Sequence, residues 1–219
     1  MKSGMRGLGY FSSVVLLCCG VSSAQTASVA LSSMGNSTMD FASVGPYVAS
    51  INGVSTLVIS DDYIDSSQPG KKWTANVSSS SNLSHAQHDF SAGLKGYEEA
   101  AYLGTELLAA NAAGNKTEEG ELSYAIWGIF DPLALTALEF YNKTDWKAAE
   151  SYLNGALNKS YTNFQVYTPT GLSGTEFLVV QSSVSTAEPA APLMLGFDLG
   201  AVLGILFVVR RYAVRRRAL

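Results

Sequence analysis

Two short stretches carry the side chains whose types and spacing could do chemistry. In "HAQHDF" the two histidines of the chain, His85 and His88, stand three residues apart with Asp89 beside them. On a helix that spacing puts two imidazoles on one side, where they could share a metal. No third ligand follows at a fixed spacing, and the serine-rich approach predicts a loop, so solvated histidines are expected. In "DDYIDSS", Asp61, Asp62 and Asp65 offer hard oxygen ligands to calcium, the one cofactor the sequence suggests. The spacing is not that of an EF-hand, and a solvated acidic turn after a strand is the expectation there. Around "GLSGT" there is no nucleophile elbow, and neither histidine has the context of a Ser-His-Asp arrangement. No catalytic residue and no metal ligand is therefore assigned. A paired-carboxylate sugar hydrolase using Asp61, Asp62 or Glu98 stays open as the alternative, because carboxylate separation is a three-dimensional quantity. Trp73, Trp127 and Trp146 could stack on sugars, but each falls in a predicted strand or helix, where core packing is expected.

The elements that would position these groups change period along the chain. Asn52-Gly53 sits between two runs rich in Val and Ile and predicts a hairpin over 47–60, since both turn residues tolerate positive φ. "KKWTANV" reads as a third strand and "SSSSNLS" as a polar loop. From Tyr97 the pattern is helical. Ala100, Leu103 and Leu107 share one face of a helix that ends near Gly114. Leu122, Ala125, Ile126 and Ile129 line one side of the next, with Glu118, Glu119 and Glu121 near its start. Asp131-Pro132 predicts an N-cap and first-turn proline for a third helix. Thr144 is expected to cap a fourth, on which Trp146, Ala149, Leu153 and Leu157 share a face. "TNFQVYTPT" and "TEFLVVQS" return to strand character. Strand hairpins flanking a helical block predict an α+β domain over 25–182.

The ends of the chain differ from its middle. Between residues 25 and 188 there are seven lysines, no arginine and 17 carboxylates, a balance of -10 within a chain of formal net charge -4. So acidic a body excludes nucleic acid as a partner, since phosphate binding needs a basic footprint. Residues 1–24 read as a signal peptide: Lys2 and Arg6, an apolar run, then Ser22-Ser23-Ala24 ahead of a cleavage site after Ala24. Cys18 and Cys19, the only cysteines, lie inside it, so the mature form would have no thiol or disulfide chemistry. After a short tether and linker over 183–189, residues 190–209 form a 20-residue run with the single charge Asp198, long enough for a transmembrane helix. Gly196, Gly200 and Gly204 recur at the spacing that lets helices approach closely. Residues 210–219 are a basic cytoplasmic tail holding Arg210, Arg211, Arg215, Arg216 and Arg217, which leaves the acidic domain outside.

Glu188-Pro189, then the glycine-bearing apolar run, then the arginine cluster, on a chain with an N-terminal signal, resembles the PEP-CTERM sorting signal of Gram-negative bacteria. Ala187 stands where that motif usually has its first proline. The resemblance covers about the last 33 residues. It implies export, a transit through the inner membrane, processing by an exosortase, and delivery to the cell surface or the exopolysaccharide matrix. Glu188, Pro189 and the five terminal arginines would be the sorting residues. The hairpin ending in an acidic pair, the Trp strand, "YEEAAYL" and "SYAIW" also look like a recurring ectodomain of such proteins, in which a cysteine is expected at the place of Ser60. "YAIW" is faintly similar to the helix signature of thioester adhesin domains. Their Cys-Gln bond cannot form here, as no cysteine remains after residue 24. The expected role is a non-catalytic structural or adhesive one at the surface, with a carbohydrate-active enzyme or a calcium-dependent adhesive module as alternatives.

Overall fold

The Asn52-Gly53 turn forms as its residue types require: φ is 51° at Asn52 and 88° at Gly53, and the turn joins β4 (Tyr47–Ile51) to β5 (Val54–Ser60). The computed structural model of the chain describes residues 25–35, 37–63, 68–88, 91–171 and 174–181. The signal peptide, the 183–189 linker, the transmembrane run and the basic tail lie outside the described residues. Among the described residues no helix is long and apolar enough to cross a membrane.

Six strands close an antiparallel barrel in the order β1, β4, β5, β8, β7, β6. Its remaining members are β1 (Thr26–Ser33), β6 (Lys72–Ser79), β7 (Phe164–Pro169) and β8 (Phe177–Val180). Val29, Leu31, Tyr47, Ala49, Val58 and Phe177 fill the interior, as a small barrel requires. Alternate residues of the same strands point outward. Ile59, Phe164, Val166 and Leu178 form a second apolar face, on which the helical block packs through its first helix. The domain is thus α+β, with the helical block packed on one side of the barrel.

The first helix, α1 (Gly93–Ala113), lies directly on that face and ends at Gly114, whose φ of 71° completes the helix C-terminus. A Cβ on Gly104 would meet Ile59 Cδ1 at 2.7 Å and Val180 Cγ2 at 2.9 Å, so α1 touches the barrel where it has no side chain. Ala100, Leu103 and Leu107 are fully buried as expected. The second helix, α2 (Lys116–Phe130), differs from the one-sided expectation: every residue from Leu122 to Trp127 is buried. It is the central helix, with α1, α4 (Lys143–Ala156) and a small hairpin over residues 37–44 packed round it. Ile129 is only half-buried.

Asp131 caps α3 (Pro132–Tyr141), its side chain accepting from Leu133 N at 2.9 Å. The cap of α4 is Asn142, not Thr144. Its Oδ1 accepts from Thr144 N at 3.1 Å and Asp145 N at 3.3 Å, which makes Thr144 a recipient of the cap. On α4 only Ala149 of the expected face is fully buried, while Leu157 lies past the helix end and is 49% exposed. In the expected polar loop, Ser78 and Ser79 instead complete β6, with Ser78 buried. Three strands went unpredicted. They are β1, set between β4 and β6, and the small hairpin of β2 (Ser37–Met39) and β3 (Ala42–Val44), which turns through Asp40 and Phe41 at φ 46° and 69°. That hairpin is pinned to α2 by Gly45 N–H donating to Ser123 Oγ at 2.9 Å and by Tyr124 O–H donating to Met39 O at 3.4 Å.

Candidate functional site

The register of β5 and β8 brings carboxylates together. Ile59 pairs with Leu178 and Ser60 with Phe177, so the next antiparallel step sets Asp61 opposite Glu176. By the two-residue period both follow the outward face of Ile59 and Leu178, under the start of α1, and both are buried. On the other side of β8, Tyr167 pairs with Phe177, which sets Thr168 beside Glu176 in the same way.

Glu176 is well supplied with donors. Tyr97 O–H donates to its Oε1, Thr168 O–H to its Oε2, and Gln87 N–H to Oε2 at 2.8 Å. Asp61 is not: neither of its buried oxygens has a hydrogen-bonding donor. Burial, then the Glu176 charge and a bond that the two carboxyls can make only by sharing a proton, then Asp62, push the Asp61 carboxyl well above the usual carboxylate range. Burial first, then Asp61 and Glu176, likewise raise the Tyr97 phenol.

The third carboxylate and an imidazole close the group. Asp62 accepts from Gln87 Nε2 at 3.2 Å, and its Oδ1 lies 3.7 Å from His88 Nε2. The His88 backbone N–H donates to Tyr97 Oη at 3.0 Å, and its ring packs on Phe130 with centroids 4.8 Å apart. One ligating atom each from Asp61, Asp62 and His88 lie within 4.8 Å of one another. His85 is exposed and outside this group, so the histidine pair predicted as solvated splits into one exposed and one partly buried ring. His88 faces Asp62 rather than solvent alone. The expected solvated acidic turn is likewise corrected at Asp61, which is 1% exposed. Asp65, Asp89, Leu172 and Ser173 lie outside the described residues, and Glu98 lies on α1 outside the group. Glu176, Tyr97, Thr168 and Gln87 were not singled out from sequence; only the β5–β8 register, invisible without the pairing, joins them to Asp61.

Ser60 links this group to a helix that also lines an open cleft. Trp127 Nε1–H donates to Ser60 O at 3.0 Å, which joins the "YAIW" helix to the acidic pair. The other edge of Trp127 lines an open cleft of about 450 Å³, together with Asp40, Phe41, Ser43, Tyr63 and Tyr141. Phe41 is 94% exposed and meets Tyr141 edge-on at 5.8 Å. Asp40 Oδ2 has no hydrogen-bonding partner there, and burial followed by the Asp145 charge raises its carboxyl. Trp73 and Trp127 pack in or against the two cores, as expected, and Trp146 packs partly buried on the helical core. Comparison with protein-family models, curated proteins and solved structures finds no match to this chain.

Proposed function

We propose that the chain is an exported surface or matrix protein whose 25–182 domain acts as a non-catalytic adhesive module for polysaccharide. Its itinerary rests on the sequence: signal cleavage after Ala24, passage through the inner membrane by 190–209, and recognition of Glu188, Pro189 and the arginines Arg210, Arg211, Arg215, Arg216 and Arg217 by an exosortase-type enzyme. The start of the fold is compatible with that cleavage. β1 begins at Thr26, and Gln25 O accepts from Val77 N at 2.8 Å, so the first residue of the expected mature chain is already bonded to the barrel.

The observation that carries the adhesive role is the aromatic-rimmed cleft. Phe41 and Tyr141 offer exposed ring faces to the apolar side of a sugar. Among the described residues, the Asp61–Glu176 pair favours a carbohydrate-active enzyme, because two neighbouring carboxyls with unlike surroundings can divide acid and base roles. Neither lines the cleft, which ranks that reading second. The test is retention of the protein in the host's isolated exopolysaccharide, native against Phe41→Ser with Tyr141→Ala. Loss of retention at unchanged melting temperature supports an adhesive cleft. Equal retention refutes it, and shortening of the polysaccharide by the native protein would establish the enzyme instead.

A further inference from the structure

We infer that Asp61, Asp62 and His88 bind a borderline divalent cation of the Zn²⁺ class. The argument starts from Asp61. A buried carboxylate with no donor on either oxygen has lost its hydration without replacement, and the ionisable group facing it from just before β8 is another buried acid, Glu176. Such a group needs either a proton or a cation. The surroundings favour a cation, because two further ligating atoms already face it from separate segments: Asp62 from the end of β5 and His88 from the loop before α1.

His88 Nε2 is itself a buried nitrogen without a hydrogen-bonding partner, a second independent sign of a ligand at the same spot. Three donors on a tetrahedral Zn²⁺ stand roughly 3.4 Å apart at ordinary zinc–ligand lengths, so a spread of up to 4.8 Å needs a contraction of about 1.4 Å at most. The 3.7 Å between His88 Nε2 and Asp62 Oδ1 is already close to it.

The supports of a metal site are also present. Gln87 Nε2–H holds Asp62 by Oδ1, and Tyr97 Oη fixes the His88 backbone while Phe130 fixes the ring plane. Tyr97, Thr168 and Gln87 hold Glu176 beside the ligands, where its charge adds to the attraction for a cation. The donor set discriminates among ions. Calcium takes six to eight oxygens, whereas one imidazole and two carboxylates suit zinc or, more weakly, manganese. Asp62 and His88, the two partly exposed ligands, form the way in. This inference is independent of the sorting and adhesive readings.

The test uses the full chain purified in detergent, stripped with a chelator, exchanged into metal-free buffer and titrated with zinc chloride by calorimetry. Bound metal is counted by elemental analysis. One equivalent is expected, with Asp62→Asn and His88→Gln each weakening binding at least tenfold and His85→Gln leaving it unchanged. Circular dichroism of each variant confirms folding before titration. Manganese chloride bound through the same residues in place of zinc upholds the site. Three results overturn it: less than half an equivalent of zinc and of manganese bound at 100 µM metal, calcium bound in preference to both, or His88→Gln binding like the native chain.

Discussion

Asp61 and Glu176 stand one residue beyond the paired ends of β5 and β8, one with no hydrogen-bond donor and the other with three. Like charges directly across a strand pair oppose folding, and burial strengthens the repulsion. In the metal-free protein, Asp61→Asn should therefore raise the melting temperature by a few degrees, because the amide can donate to Glu176 without a shared proton. The same variant should lose the stabilisation by zinc expected of the native chain. Melting curves with and without chelator measure both effects.

Glu176→Ala should be far more costly than Asp61→Asn. It leaves the Tyr97 hydroxyl, the Thr168 hydroxyl and the Gln87 N–H without their acceptor, a loss of about 3–5 kcal/mol. Glu176→Gln should fall between the two, since one oxygen still accepts. Urea unfolding midpoints would rank the three.

Two glycines should respond to alanine with opposite signs. Gly155 on α4 has nothing near a built Cβ, so Gly155→Ala should stabilise by about 0.5–1 kcal/mol through helix propensity. Gly104→Ala gains the same propensity but drives a methyl into Ile59 and Val180, and it should destabilise. If both variants melted higher than the native chain, the close seating of α1 on the barrel would be wrong.

Asp40 supplies a pH signature separate from the buried group. Burial and then Asp145 raise its carboxyl above the usual value, so the folded state holds that proton more tightly than the unfolded chain does. Stability from this residue is greatest when it is protonated, and it falls as pH rises through the ordinary carboxylate range to the raised value. Asp40→Asn removes the penalty and places asparagine at a positive φ it favours. The variant should gain over the native chain at pH 7 and gain less at pH 3.5, as chemical denaturation at the two pH values would show.

Local signals in the sequence translated into structure where one residue type decides a conformation. Asn52-Gly53, Gly114 and Asp131-Pro132 each ended or started an element at the expected place. β1 was missed because its alternation of small residues, "TASVALSS", buries Ala27, Val29 and Leu31 yet resembles a polar linker in composition. The cap at α4 shifted from Thr144 to Asn142 because both are good caps and only geometry separates them. The candidate site was half legible: "DDYIDSS" and "HAQHDF" drew attention as separate motifs. They meet through Asp62, which Gln87 and His88 approach from the loop before α1, and Glu176 joins them only by the pairing of β5 with β8 across more than a hundred residues, a non-local fact that no period or spacing encodes.

The central claim is that this acidic domain is made to be exported and released. The most direct measurement is the intact mass of the protein recovered from the surface and medium of its host, beside a strain carrying Glu188→Ala and Pro189→Ala. The account predicts a native form that lacks residues 1–24 and the arginine end, and a mutant that keeps its tail and stays in the inner membrane. An intact C-terminus held in the membrane in both strains would contradict it.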